Sequence, residues 1–217
     1  MGDELTPMMR QYREIKDQHS DKILFFRLGD FYEMFDEDAR TASGILQLAL
    51  TKRHDIPMCG IPHHAAANYI RRLIEAGYKI AVCEQMEEPG KGKTIVRRDV
   101  RRIITPGTLI DEFSLNSSAN NFLAAVFAES GMQANGCRET VFLAADCSTG
   151  DLEITHLVAG SEGDLENLLC EYKPRELLVS ENQDFFSKIK GSENMIINRL
   201  PAYVSEKEYA VRKIKAA

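Results

Sequence analysis

The run Arg27-Leu28-Gly29-Asp30-Phe31-Tyr32-Glu33-Met34-Phe35 puts a large aromatic side chain two residues before a carboxylate, just past a Gly-Asp turn. A ring standing free at the mouth of a turn has a defined chemistry towards DNA. Pushed between base steps from the minor groove, it unstacks them and kinks the duplex, at a cost of a few kcal/mol. That cost is lowest where a pair is mismatched or unpaired, so deformability itself becomes the signal. The Glu33 carboxylate would accept from a base N–H, or donate to a base acceptor once protonated, and burial beside phosphates favours the protonated form. The same residues have a plainer reading. Asp30 as N-cap with Glu33 three residues on is a capping box, and Phe31 would then pack beneath the loop at 57–62.

Other chemistries find less support. A phosphate-cradling GxxxxGK[ST] loop would need glycine at position 87, where Glu87 stands before Gly92-Lys93-Thr94, so no nucleotide site and no hydrolysis is expected. Two-metal phosphoryl chemistry needs carboxylates clustered on a strand. The strand at 122–127, FLAAVF, carries none, and turn chemistry accounts for Asp146 and Asp151. Cys59 with His63 and His64 lacks a second ligand cluster at zinc spacing, so a buried thiol and turn histidines are expected there. The five cysteines form no CxxC pair and read as reduced thiols.

These residues need elements to position them. Thr6 as N-cap with Pro7 at the first helical position opens a helix striped by Met8, Met9, Tyr12 and Ile15. ILFFRL (23–28) reads as a buried strand ended by Gly29-Asp30. The next twenty residues carry apolar side chains at 32, 35, 39, 42, 46 and 49, which predicts one helix from Phe31 with Phe31 itself about 100° off the stripe. Pro57, Gly60 and Pro62 predict a loop. A helix at 64–77 closed by Gly77, a strand at 78–86, a Pro89–Gly92 turn and a basic strand at 95–104 follow, so the first unit is mixed α/β. The small polar stretch 114–121 is the expected linker. Beyond it come three meandering strands (122–127, 140–146, 151–157), then helix 162–173, strand 176–179, helix 182–190, strand 195–198 and helix 205–215. That order predicts a ribonuclease-H-like α/β unit.

Composition sets the outer bounds. The 217 residues are 44% hydrophobic and 28% charged, with 27 Lys+Arg against 33 Asp+Glu, an ordinary globular mixture. No apolar run approaches the ~18–20 residues that span a bilayer, no signal sequence opens the chain, and a soluble, cytoplasmic protein is expected. The net charge of −6 hides an asymmetry: Lys91, Lys93, Arg97, Arg98, Arg101 and Arg102 face only Asp99 between 91 and 102. A local polyanion site and a charge-protected sheet edge explain that stretch about equally well.

GDFYEMF, together with TPMMRQY (6–12), LTKR (50–53), IPMCGIPHHAAANY (56–69), AVCEQ (81–85) and ITPGT (104–108), resembles the MutS family of DNA mismatch-repair proteins, of the bacterial type. NNFLAA (120–125) and ADCSTGDLEI (145–154) extend the likeness. The resemblance implies a mismatch-recognition domain over 1–113, a linker at 114–121, and an incomplete, ribonuclease-H-like connector domain over 122–217. It implies that Phe31 is the stacking wedge and Glu33 the base-contacting carboxylate, with Arg53 and Arg98 at basic positions near the DNA. Asp99 departs from the pattern, where a lysine would suit phosphate better. No catalysis, cofactor or metal is expected of this segment. ATP, magnesium, homodimerisation and the repair partner MutL belong to the full-length family. The rival expectation is a protein-interaction or regulatory module that does not read DNA.

Overall fold

In the computed structural model the described residues are 6–87, 96–109, 120–128, 139–157, 162–183 and 195–216, and they divide into two compact units after Thr105. The expected Pro89–Gly92 turn, most of the linker (114–119) and most of the helix at 182–190 lie outside them.

In the first unit, α1 (Pro7–Gln18) starts as expected, with the Thr6 hydroxyl accepting from the Met9 N–H at 3.4 Å. Strand β1 (Ile23–Leu28) runs into β2 (Phe31–Phe35) through the two-residue loop Gly29-Asp30. Gly29 takes φ +59°, a left-handed value that glycine reaches without a Cβ penalty. Helix α2 (Asp36–Leu46) follows, then β3 (Thr51–Arg53), β4 (Ile56–Pro62), α3 (Ala66–Glu75), β5 (Ile80–Gln85) and β6 (Arg98–Ile104). The six strands lie in the order β3-β4-β2-β1-β5-β6, antiparallel except for the β1–β5 pair.

The structure departs from the sequence expectation at two places. The helix predicted from Phe31 begins only at Asp36; residues 31–35 are a strand, and there is no Asp30–Glu33 capping box. Phe31-Tyr32 and Phe35 favour a pleated surface, and β2 is paired on both sides, with β1 and β4. The step of three from Tyr32 to Phe35 mimicked a helix only because Phe35 is buried on the face opposite Tyr32 and Met34. Likewise, 57–62 is no loop. Pro57 and Pro62 are tolerated near the two ends of β4, opposite Lys52 and Phe31.

One face of this sheet packs Leu24, Phe26, Phe35, Ala81 and Cys83 against Met9 and Tyr12 of α1. Tyr12 lies edge-on to both Phe26 and Phe35. Its burial, with Asp38 alongside, pushes the phenol far above the ordinary tyrosine range.

The second unit builds β7 (Phe122–Ala128), β8 (Thr140–Asp146), β9 (Asp151–Leu157), α4 (Glu162–Tyr172), β10 (Glu176–Ser180), β11 (Ile196–Leu200) and α5 (Lys207–Ala216). Its sheet order is β11-β10-β7-β8-β9, antiparallel among β7, β8 and β9 and parallel among β7, β10 and β11. The five strands therefore form a mixed sheet. Leu165 and Leu169 of α4 cover Ala124, Val126, Phe142, Ala144, Leu177 and Val179. The turn acids serve as expected. Asp146 is buried, yet bonds from Ser148, Asn121 and Thr149 outweigh that burial and hold its carboxyl below the usual range. Asp151 accepts from the Thr149 hydroxyl at 2.7 Å. Gly107 belongs to this unit: its N–H donates to Glu176 at 2.9 Å, and an added Cβ would lie 2.9 Å from Leu123 Cδ1.

Candidate nucleic-acid interface

Alternation along β2 decides what Phe31 and Glu33 can do. Tyr32 and Met34 point to one face and are buried; Phe31 and Glu33 share the other. Helix α1 covers that second face over Phe26 and Phe35, and Phe31, at the turn end of the strand, is 48% exposed. It is thus an exposed aromatic at the mouth of a turn, as the wedge reading needs, although a strand and not a helix presents it. Its cross-strand neighbours are Leu28 and Pro62.

Glu33 lies opposite Phe26 and Gly60. Gly60 leaves room beside it, since a Cβ there would meet the Tyr32 carbonyl at 3.4 Å and Glu33 Cγ at 3.6 Å. Burial pushes the Glu33 carboxyl above the usual glutamate range, and the positive charge of Arg53 acts against that shift. Arg53, at the end of β3, donates from Nη1 to Glu33 Oε2 at 2.6 Å; its side chain is 41% exposed against 16% for Glu33. The Glu33 side chain is therefore largely buried, with the Arg53 guanidinium on its carboxylate.

Arg98 makes a separate set of contacts. It is 9% exposed, and its Nε donates to the Arg27 carbonyl at 2.7 Å. Its Nη1 donates to Gln11 at 3.0 Å and to the Val96 carbonyl at 2.9 Å, and the guanidinium lies 5.0 Å from the Phe26 ring centre. Burial lowers its pKa. Arg98 ties α1, β1 and the start of β6 together, so three of the four expected site residues converge and the fourth is an internal brace. The exposed cations of β6 include Arg101, which takes no place in the register where Val82 pairs Arg102 and Cys83 pairs Val100. A bulge of this kind re-aims a side chain at a sheet edge.

Sequence reasoning missed a second group on the opposite face. Tyr32 donates to Glu84 Oε1, Arg27 Nη1 lies 3.8 Å from Glu84 Oε2, and Arg27 Nε donates to the Gly29 carbonyl. The Arg27 guanidinium lies 5.6 Å from the Tyr32 ring centre. Desolvation, then Glu84, pushes the Tyr32 phenol up to about 12. Strand alternation, had it been assigned to 31–35, would have paired Arg27 with Tyr32. Cys59 and His63 do not come together as ligands: the Cys59 thiol is buried and donates to the Ala39 carbonyl at 3.5 Å, whereas the His63 ring lies 3.1 Å from the Asp30 carbonyl.

Residues 6–113, which carry this whole surface, match the family described as MutS domain I. The chain belongs to the MutS family. A DNA mismatch repair protein MutS from Alkaliphilus oremlandii is 44% identical over 223 aligned positions, 97% of this chain and 24% of that protein. The MutS of Listeria welshimeri is 48% identical over 185 positions and that of Myxococcus xanthus 51% over 184. This MutS segment spans about a quarter of the length of the relatives it matches. Among solved structures, a chain of a simian T-cell lymphotropic virus intasome in complex with PP2A regulatory subunit B56 gamma aligns over 46% of this chain, at 10% identity and a TM-score of 0.27, too distant to inform the fold.

Proposed function

We propose that the first unit reads mismatched DNA for mismatch repair: Phe31 enters the duplex at the mispair, Glu33 contacts the displaced base, and Arg53 holds Glu33 and meets the sugar–phosphate backbone beside it. The observation that carries this reading is the half-exposed Phe31 ring at the mouth of the β1–β2 turn, with Glu33 two residues on along the same face. An exposed aromatic gains by stacking on a base roughly 1–3 kcal/mol, which offsets the unstacking cost only where that cost is already low. Arg98 is assigned a bracing role in place of the DNA contact expected from the sequence. The second unit, β7 to β11, is proposed as the connector that passes the bound state to the ATPase of a full-length MutS. Homodimerisation and pairing with MutL are proposed for that longer protein, and no chemical step is assigned to this segment.

The test is a mobility shift of homoduplex and G·T duplex with wild-type chain and Phe31→Ala. Loss of stacking should weaken mismatch binding about 5- to 150-fold and leave homoduplex binding nearly unchanged. Glu33→Ala also removes a negative charge near the phosphates, so homoduplex affinity should hold or rise. A second reading rests on exposed Leu152 and Ile154 on the edge strand β9, which suit a protein partner better than DNA. It predicts equal, weak binding to both duplexes and no effect of Phe31→Ala.

A further inference from the structure

We infer that Arg27, Tyr32 and Glu84 form a positioning set that fixes the Gly29–Asp30 turn, and thereby the pose in which Phe31 and Glu33 meet a mispair; this rests on the mismatch-reading proposal above. Tyr32 sits between Phe31 and Glu33 in the chain and points to the opposite face, so whatever anchors its ring fixes the peptide units that carry both neighbours. The anchor is on β5. The Tyr32 hydroxyl donates to Glu84, and Arg27, its cross-strand partner, lies within ion-pair distance of the other Glu84 oxygen. Phe25 packs against the Tyr32 ring at 5.8 Å between centres.

The turn is held at both central residues. Arg27 Nε donates to the Gly29 carbonyl. The Asp30 carbonyl accepts from the His63 N–H at 2.9 Å, with the His63 ring nitrogen at 3.1 Å. Gly29 itself has open space around the missing Cβ and a φ that permits backbone freedom, so these contacts, not crowding, set the turn. Glu84 also faces Asp99 directly across β6. Like charges opposite one another are unfavourable, and the Tyr32 and Arg27 donors offset that cost. A wedge gains from such anchoring because a ring already held in its binding pose loses less freedom on insertion.

The experiment measures affinity for G·T and homoduplex DNA at low ionic strength. It uses the 217-residue chain, and the same chain grafted in place of the matching segment of the Alkaliphilus oremlandii relative. Tyr32→Phe keeps the ring against Phe25 and removes only the hydroxyl. It should lower the G·T-to-homoduplex affinity ratio about tenfold, the scale of a hydrogen bond to a charged group. Glu84→Gln retains an acceptor and should preserve the ratio, whereas Glu84→Leu should lower it as Tyr32→Phe does. Thermal melts beside each assay identify a merely structural role, which would lower stability and both affinities together with the ratio unchanged. That result overturns the inference, as does a Tyr32→Phe ratio equal to wild type while Phe31→Ala abolishes discrimination. If wild type shows no preference, or Phe31→Ala retains it, the mismatch-reading proposal itself fails, and the two failures are told apart.

Discussion

Replacing Arg53 by alanine isolates the electrostatics of the proposed site. The guanidinium is bonded to Glu33 at 2.6 Å, which alone would place the pair among charge-assisted bonds worth ~1.5–3 kcal/mol. Its side chain is 41% exposed, however, and solvent screening pulls such pairs towards the ~0–1 kcal/mol of surface ion pairs. About 1 kcal/mol lost is therefore expected, or roughly 4 °C in the melt of a unit of ~100 residues. The second effect is on Glu33. Burial already raises its pKa and Arg53 opposes the rise, so removing Arg53 must move the carboxyl further up. A carboxyl raised in the folded state contributes stability that is complete below the ordinary glutamate pKa and is lost as pH rises through the raised value. Arg53→Ala should steepen that loss and Glu33→Gln should abolish it. Carboxyl-carbon NMR titration of Glu33 in both proteins, with melts across pH 4–8, checks the chain of reasoning. A Glu33 pKa that falls or stays put in Arg53→Ala would mean that the ion pair does not govern the carboxylate.

Gly107→Ala forces a methyl into contact with Leu123 and Glu176 and should cost about 1–3 kcal/mol, read as a lower unfolding midpoint of the second unit. The β3–β4 loop has two non-glycine residues at positive φ, His54 at +46° and Asp55 at +64°, where this kind of turn favours Asn-Gly. Asp55→Gly should stabilise the first unit by about 0.5 kcal/mol in denaturant titration. Arg98→Ala removes a buried cation with three hydrogen bonds, and should destabilise by roughly 2–3 kcal/mol while leaving the salt dependence of DNA binding unchanged. A slope reduced by about 0.9 would instead identify a phosphate contact.

The elements with one dominant signal were legible in the sequence. Thr6-Pro7 opens α1, Gly77 follows α3, and the second unit was readable strand by strand because apolar runs alternate there with turn residues and helical stripes. The stretch 31–35 was not legible, because five residues with aromatics at 1, 2 and 5 fit a helix and a strand equally well. What decides between them is pairing with β1 and, 23 to 31 residues downstream, with β4, and the second pairing has no local signature. The same non-local pairing turned the proline-marked 57–62 into a strand. Phe31 and Glu33 stand out as candidates because their types suit a chemistry whatever element carries them. Arg53 was named only through resemblance, and its link to Glu33 depends on β4 bringing β3 alongside. The burial of Arg98 was not legible, because a basic run on an edge strand looks exposed in sequence, whereas the alternation of β6 turns this one arginine inward under α1.

In the proposed complex the Phe31 ring enters the duplex at the mispair. Intermolecular nuclear Overhauser contacts test it directly, using chain with a selectively labelled Phe31 ring bound to a G·T duplex and to its homoduplex. Contacts from the ring to base protons at the mispair, absent with homoduplex, are the predicted result. A bound G·T complex in which the Phe31 ring touches no base, or touches both duplexes alike, would rule out insertion at the mispair.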